Sequence, residues 1–270
     1  MLVHLGEEEY RFPSQELAEL ADHTELYLRA EWGELRGELE RRGYLRIRQL
    51  HDREQVLRAR TGNYRELSHR WNVSISAILE HVESSGDEKL DSSQPLEAGV
   101  LDSRCGRGCI PFMEGRNSIS HHQDVLQVLE GPRPTLFFEK LLGGEVLTFD
   151  YKWLRGVHRE AFTGAHVDNV YMSRGTSELY TMWTPLGDVT TDMGTLAVVE
   201  SSNIDKNFKR FQETYGSCDI EKENILGSGW FTEDPREIEE KSVVFKIYDK
   251  YRCVCVEVQI FLENRLLLGR

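Results

Sequence analysis

The sequence predicts a mainly β domain with flanking helices, closed as a sandwich or jelly roll. Three observations predict it. Short runs rich in Val, Tyr, Phe, Trp and Thr crowd the second half of the chain, at Glu145 to Trp153, Val167 to Met172, Leu179 to Thr184 and Thr195 to Val199, bounded by Gly, Asp, Ser or Pro. Apolar residues at helical spacing dominate the first half, to about residue 142. At 270 residues, 39% hydrophobic and 29% charged, the chain holds enough apolar material for one substantial core rather than two.

From Glu16 to Arg42, Leu, Ala and Trp recur among Glu and Arg as in an amphipathic helix with a break near His23-Thr24. Gly43 stops it, and Tyr44-Leu45-Arg46-Ile47-Arg48 alternates as a half-buried strand would. A helix follows from Asp52. Between Glu83 and Arg116, Ser, Asp, Gly and Pro replace any periodicity, which reads as a long loop and a candidate lid. Two short helices are predicted over His121 to Leu142, separated by Gly131-Pro132 and closed by Gly143-Gly144. After the four strand-like runs, Asn203 to Tyr215 reads as a surface helix and Ser242 to Leu262 returns to strand.

A net charge of −13 opposes nucleic acid as a partner, because phosphate affinity comes from clustered Lys and Arg. No run approaches the roughly 20 apolar residues of a membrane span, and Met1 to Glu9 is too acidic for a signal peptide, so no membrane role and a cytoplasmic setting are expected. Five scattered cysteines fit reduced thiols better than a disulfide framework. Oligomeric state is not legible.

The residues that carry chemistry lie at Ala165-His166-Val167-Asp168-Asn169. On a strand, side chains at i and i+2 share a face, so His166 and Asp168 can aim together into a barrel. One imidazole and one carboxylate are two parts of the facial triad of non-haem Fe(II) oxygenases. Downstream stand a strand Tyr180-Thr181-Met182-Trp183-Thr184-Pro185-Leu186 and then Gly194-Thr195-Leu196-Ala197-Val198-Val199.

This order resembles the phytanoyl-CoA dioxygenase family, in which His-x-Asp precedes a Trp-containing strand and a Gly-x-Leu strand. The resemblance spans residues 120 to 235, and more loosely Gly43-Tyr44-Leu45-Arg46-Ile47, which looks like the family's opening strand. It implies a single domain over 1–270, helical over about 1–142, with an incomplete double-stranded β-helix (jelly roll, cupin-like) over about 143–270. It further implies Fe(II) and 2-oxoglutarate as cofactors, hydroxylation of a small-molecule or acyl substrate, and His166 and Asp168 as metal ligands.

The same resemblance puts Trp183 where family members have a tryptophan beside 2-oxoglutarate. Lys152 is a candidate for a cofactor carboxylate, while Arg155 reads as a solvated strand residue. Tyr171, opposite in face to Asp168 on a regular strand, is a candidate for lining the cofactor pocket or for packing.

The chain departs from the family at the last metal position. The histidines are His4, His23, His51, His69, His81, His121, His122, His158 and His166, so none follows the proposed first ligand. The family's distal histidine, with an arginine about ten residues beyond it, has no counterpart, and a truncated or alternative tail is the expected explanation. On one face of a tail strand Cys253, Cys255 and Glu257 would align, and Cys255 precedes Arg265 by ten residues, a substitute whose soft sulfur would alter the iron.

Cys105 and Cys109 read as loop thiols. His121 and His122 read as surface residues at a helix start capped by Ser118 or Ser120, and His158 as a loop residue near the site. The expected function is an Fe(II)/2-oxoglutarate dioxygenase, with a non-catalytic binding isoform, or a relative holding another metal, as alternatives.

Overall fold

The computed structural model describes residues 1–6, 8–72, 74–75, 100–101, 112–116, 119–156, 164–166, 179–187, 189, 195–209, 212, 230–232, 234–240, 245–247, 257–262 and 267–269. The chain opens on a hairpin that the sequence pattern did not announce, β1 (Leu2–Leu5) paired antiparallel with β2 (Glu8–Arg11). Val3, Leu5 and Tyr10 alternate inward, and Gly6 takes the left-handed φ of 61° at the turn.

The helix expected over Glu16 to Arg42 is corrected. Its first part is a strand, β3 (Leu17–Glu19), followed by α1 (Thr24–Leu28) and α2 (Trp32–Arg42). Leu17 and Leu20 are buried, and β3 pairs in parallel with a strand more than 220 residues away, so a tertiary ladder overrides the local helical pattern. The expected break at His23-Thr24 is where α1 starts, and Gly43 ends α2 in the left-handed conformation as predicted.

Next come β4 (Tyr44–Arg48) and α3 (Arg53–Trp71), whose Asp52 cap accepts a hydrogen bond from the Gln55 amide at 3.0 Å. The expectation of a half-buried β4 is corrected: Tyr44 to Ile47 are all buried. Arg46 tolerates this because its guanidinium donates to the Glu19 carboxylate at 2.7 Å and to the Leu20 carbonyl at 2.8 Å.

Two small pairs follow, β5 (Ser74–Ile75) with β6 (Val100–Leu101), and β7 (Phe112–Glu114) with β8 (Leu154–Gly156). Apart from 100–101 and 112–116, the candidate lid over 83–116 lies outside the described residues. Helices α4 (Gln123–Leu129) and α5 (Pro132–Leu142) form as predicted, with Gly143 left-handed at the end of α5. The cap of α4 is corrected from a serine to His122, whose Nδ1 accepts from the Asp124 amide at 3.3 Å.

No strand forms over Glu145 to Trp153; the ladder begins only at Leu154. The apolar members of that alternating run, Leu147, Phe149, Tyr151 and Trp153, are exposed, while Thr148 and Lys152 tie the segment to Glu130. Alternation here marks anchoring by the polar side chains rather than burial of the apolar ones.

The remaining elements are β9 (Gly164–His166), β10 (Tyr180–Trp183), β11 (Ala197–Val199), a 3-10 turn at Lys206–Phe208, β12 (Trp230–Thr232), α6 (Arg236–Glu239), β13 (Phe245–Ile247), β14 (Glu257–Leu262) and β15 (Leu267–Gly269). The turn falls inside the helix expected over Asn203 to Tyr215 and buries Phe208; residues 210, 211 and 213–215 lie outside the described set.

Among the described residues the strands form a six-stranded sheet, β12-β9-β15-β11-β13-β3, and a three-stranded sheet, β10-β14-β4. Tyr44 from the smaller sheet and Val198 from the larger belong to one buried cluster, with Trp183 packed against it, so these two sheets face each other. Behind the smaller sheet, Leu45 and Ile47 join Leu35, Leu39, Phe137 and Leu141 of α2 and α5. Behind the larger one, Ala165, Ala197 and Val199 join Val3, Leu5, Tyr10 and Phe12 of the N-terminal hairpin segment, with Phe208 and Ile238. No helix among the described residues is long and apolar enough to cross a membrane.

Candidate functional site

His166 ends β9, and its direction follows from its neighbours. Ala165 is fully buried in the cluster behind the larger sheet, and successive strand residues point to opposite faces, so half-buried His166 lies on the face turned toward the smaller sheet. Register agrees. His166 pairs with Leu267, and Leu267 with Val198, one row across β9, β15 and β11; Val198 is the residue that meets Tyr44 between the sheets.

Trp183 points into the same interval. On β10, Tyr180 and Met182 pack toward α2 and α5, while Trp183 packs with Tyr44, Leu20 and Val198. The two residues singled out from sequence as ligand and cofactor neighbour therefore occupy facing sheets with their side chains turned to the space between them. Trp183 is only half-buried, which suits an aromatic that both packs and lines a cleft.

The His166 ring is fixed by its own strand: Nδ1 lies 3.1 Å from the Gly164 carbonyl oxygen. A carbonyl only accepts, so Nδ1 is the donor in this contact, and in the neutral ring Nε2 is then the acceptor nitrogen. Metal-bound histidines use this arrangement, the far nitrogen tethered to a carbonyl so that the near one is aimed. To this extent the residue fits Fe(II), for which imidazole and carboxylate are suitable donors.

Asp168 and Tyr171 lie outside the described residues, as do His158, Cys105, Cys109, Cys253, Cys255 and Arg265. Among the described residues no three His, Cys, Asp or Glu side chains gather as a metal-holding group. Glu257, the remaining tail candidate, sits at the register position of Arg48 at the end of the smaller sheet.

Lys152 is not brought to His166 by any described contact. Its Nζ is 2.6 Å from Glu130 Oε1 and also meets the Phe149 carbonyl, with only 10% of its side chain exposed. Burial pushes the Glu130 carboxyl upward, but hydrogen bonds from Lys152 and Thr148 outweigh this and hold it below its ordinary value. Arg155 is exposed, in keeping with a solvated strand residue. His121 and His122 are half-buried rather than surface residues; His121 Nε2 is 2.9 Å from the Asp150 carbonyl and Nδ1 is 3.0 Å from Ser120 Oγ.

Two groups beside the β10 strand escaped the sequence reading. Buried His51 lies with Nε2 3.4 Å from Thr184 Oγ1, the residue after Trp183, and desolvation, reinforced by Arg133, pushes its pKa down to about 4. On α3, Arg60 and Asn63 are buried on the stripe that also carries Val56 and Ala59, and Arg60 Nη1 approaches the bare backbone of Gly187. Charge on a helix gives no local sign that it will be buried. No family model matches the sequence, and none of the curated proteins matches it.

Proposed function

We propose that the chain is a phytanoyl-CoA-dioxygenase-like protein with a double-stranded β-helix core, in which His166 and Asp168 hold Fe(II) for a 2-oxoglutarate-dependent hydroxylation of a small molecule. The observation that carries the reading is His166: a half-buried imidazole, tethered at Nδ1 to Gly164, on the face of its sheet that looks toward Trp183. When bound, Fe(II) with 2-oxoglutarate and O2 supplies oxidation of an unactivated C–H bond, with succinate and CO2 released.

In this reading the protein's own part is positional. The Gly164 carbonyl holds the His166 proton at Nδ1 and points Nε2 into the interval between the sheets. Asp168, two residues along the sequence, is the proposed carboxylate ligand. Trp183 walls the interval and, packed on Tyr44 and Val198, keeps water from the cofactor side.

A second reading, a non-catalytic binding protein on the same scaffold, is favoured by one specific feature: no histidine follows His166 in the sequence. Incubation with Fe(II), ascorbate, O2 and 2-oxoglutarate, with succinate followed by mass spectrometry, separates the two. Succinate formation that is lost in His166→Ala and Asp168→Ala supports the oxygenase. Turnover at or above roughly 1 s⁻¹, an ordinary enzymatic rate, excludes the binding protein, and no succinate above the His166→Ala background excludes the oxygenase.

A further inference from the structure

Among the described residues β4 is an end strand of the smaller sheet, so alternate residues turn their backbone groups outward, away from β14. The turn that opens α1 meets those of Arg46 and Arg48. The Arg46 amide donates to His23 Nδ1 at 3.2 Å, and the His23 amide donates back to the Arg46 carbonyl at 2.9 Å. Two residues on, the Arg48 amide donates to Thr24 Oγ1 at 2.8 Å, and the Arg48 guanidinium meets the Asp22 carboxylate at 3.0 Å.

A ring nitrogen that accepts is unprotonated, so neutral His23 carries its proton on Nε2, which lies 3.4 Å from Glu38 Oε2. A protonated imidazole has donors only. A second proton, at Nδ1, would set one N–H against another at Arg46 and break the contact. The residue is only 3% exposed, and Tyr44 of β4 meets its ring edge to face.

The charged groups around it are Glu38 and Arg42 from α2, Asp22 from its own turn and Arg46 from β4. Arg41 and Arg42 both hold the Glu38 carboxylate at 2.6 Å, and the Arg46 guanidinium is turned to Glu19 at 2.7 Å. Burial holds the His23 pKa below its ordinary value with help from Arg42, and the Glu38 and Asp22 carboxylates offset only part of this.

We infer that His23 is an acid-released latch on the outer edge of β4: a proton taken from solvent at Nδ1 detaches the Asp22–Thr24 turn and uncovers the backbone of Arg46 and Arg48. What it uncovers is a sheet edge, whose N–H and C=O groups can then pair with a further strand. The device lies on the end strand away from β10 and does not depend on His166 holding a metal.

Hydrogen exchange resolved to single amides on the full chain, between pH 7 and pH 5.5 and corrected for the intrinsic rate, tests the latch. One proton taken up per opening raises the open population by up to about tenfold for each pH unit below about 6.5. The Arg46 amide is expected to show that rise, while the amides of Leu45 and Ile47, turned toward β14, hold steady. His23→Asn keeps an acceptor close to the Nδ1 position and removes the titration, so the rise is expected to vanish in it. Nitrogen chemical shifts of the His23 ring in the unmodified chain add a measurement that needs no variant, with Nε2 protonated and Nδ1 bare expected at pH 7. Exchange at Arg46 that is flat with pH, or that rises equally at Leu45 and Ile47, would overturn the inference. A rise that persists in folded His23→Asn, or a ring protonated at Nδ1 at pH 7, would do the same.

Discussion

Ala165 and His166 are consecutive residues of β9 that face opposite sides of the six-stranded sheet, Ala165 into a closed core and His166 toward the facing sheet. The fold depends on the first and the proposed chemistry on the second. Their substitutions should therefore separate stability from metal binding.

Ala165→Leu forces extra methylene groups into the buried cluster that Ala165 shares with Val3, Phe12, Val199 and Ile238 and should cost about 1–3 kcal/mol. His166→Ala removes a half-buried side chain and should cost less than about 1 kcal/mol. Urea denaturation measures both. If the two costs came out reversed, the assignment of faces on β9 would be wrong.

The pairing of Lys152 with Glu130 gives a second test. Each lowers the cost of holding the other near the start of β8, and a double-mutant cycle with Lys152→Met and Glu130→Gln should show coupling of about 1 kcal/mol. Glu130 is held below its unfolded pKa, so the contribution is present above that value and fades as pH falls through the folded one. Binding of 2-oxoglutarate should be unchanged in Lys152→Met. A tenfold loss of that binding at unaltered stability would instead move Lys152 into the cofactor pocket.

His51 should make the protein acid-sensitive. Its folded pKa is pushed down to about 4 from the ordinary 6.5, so between these values the unfolded chain takes up a proton that the folded one refuses. Stability from this group is complete above pH 6.5 and falls as pH drops toward 4, by about 2–3 kcal/mol over the window. Urea midpoints at pH 7 and pH 5 for the unmodified chain and His51→Gln should differ in slope, with the variant flatter. Equal slopes would show that His51 is already accessible to protons.

What could be read in advance was what is fixed locally. Asp52 before α3 and Gly43 and Gly143 at helix ends depend on neighbours a few residues away, and the strands at Tyr180–Trp183 and Ala197–Val199, though laddered to distant partners, carry β-branched and aromatic residues that announce them locally. What was misread depends on distant partners: β3 reads as helix because its ladder is with Phe245–Ile247, and the run to Trp153 reads as strand although its apolar side chains face water.

The site divides in the same way. The two-residue spacing of His166 and Asp168 signals a shared face from sequence alone, whereas the burial of Arg46 between the sheets and the approach of His51 to Thr184 emerge only when the strands are assembled.

In the proposed centre His166 aims Nε2 at an iron that the chain holds weakly. Anaerobic titration with Fe(II) in excess 2-oxoglutarate, followed by visible absorption, puts this proposal to the test. The predicted result is a metal-to-ligand charge-transfer band that grows without saturating at stoichiometric iron and is absent in His166→Ala. A band of equal intensity in His166→Ala, or none at any iron concentration in the unmodified chain, would contradict it.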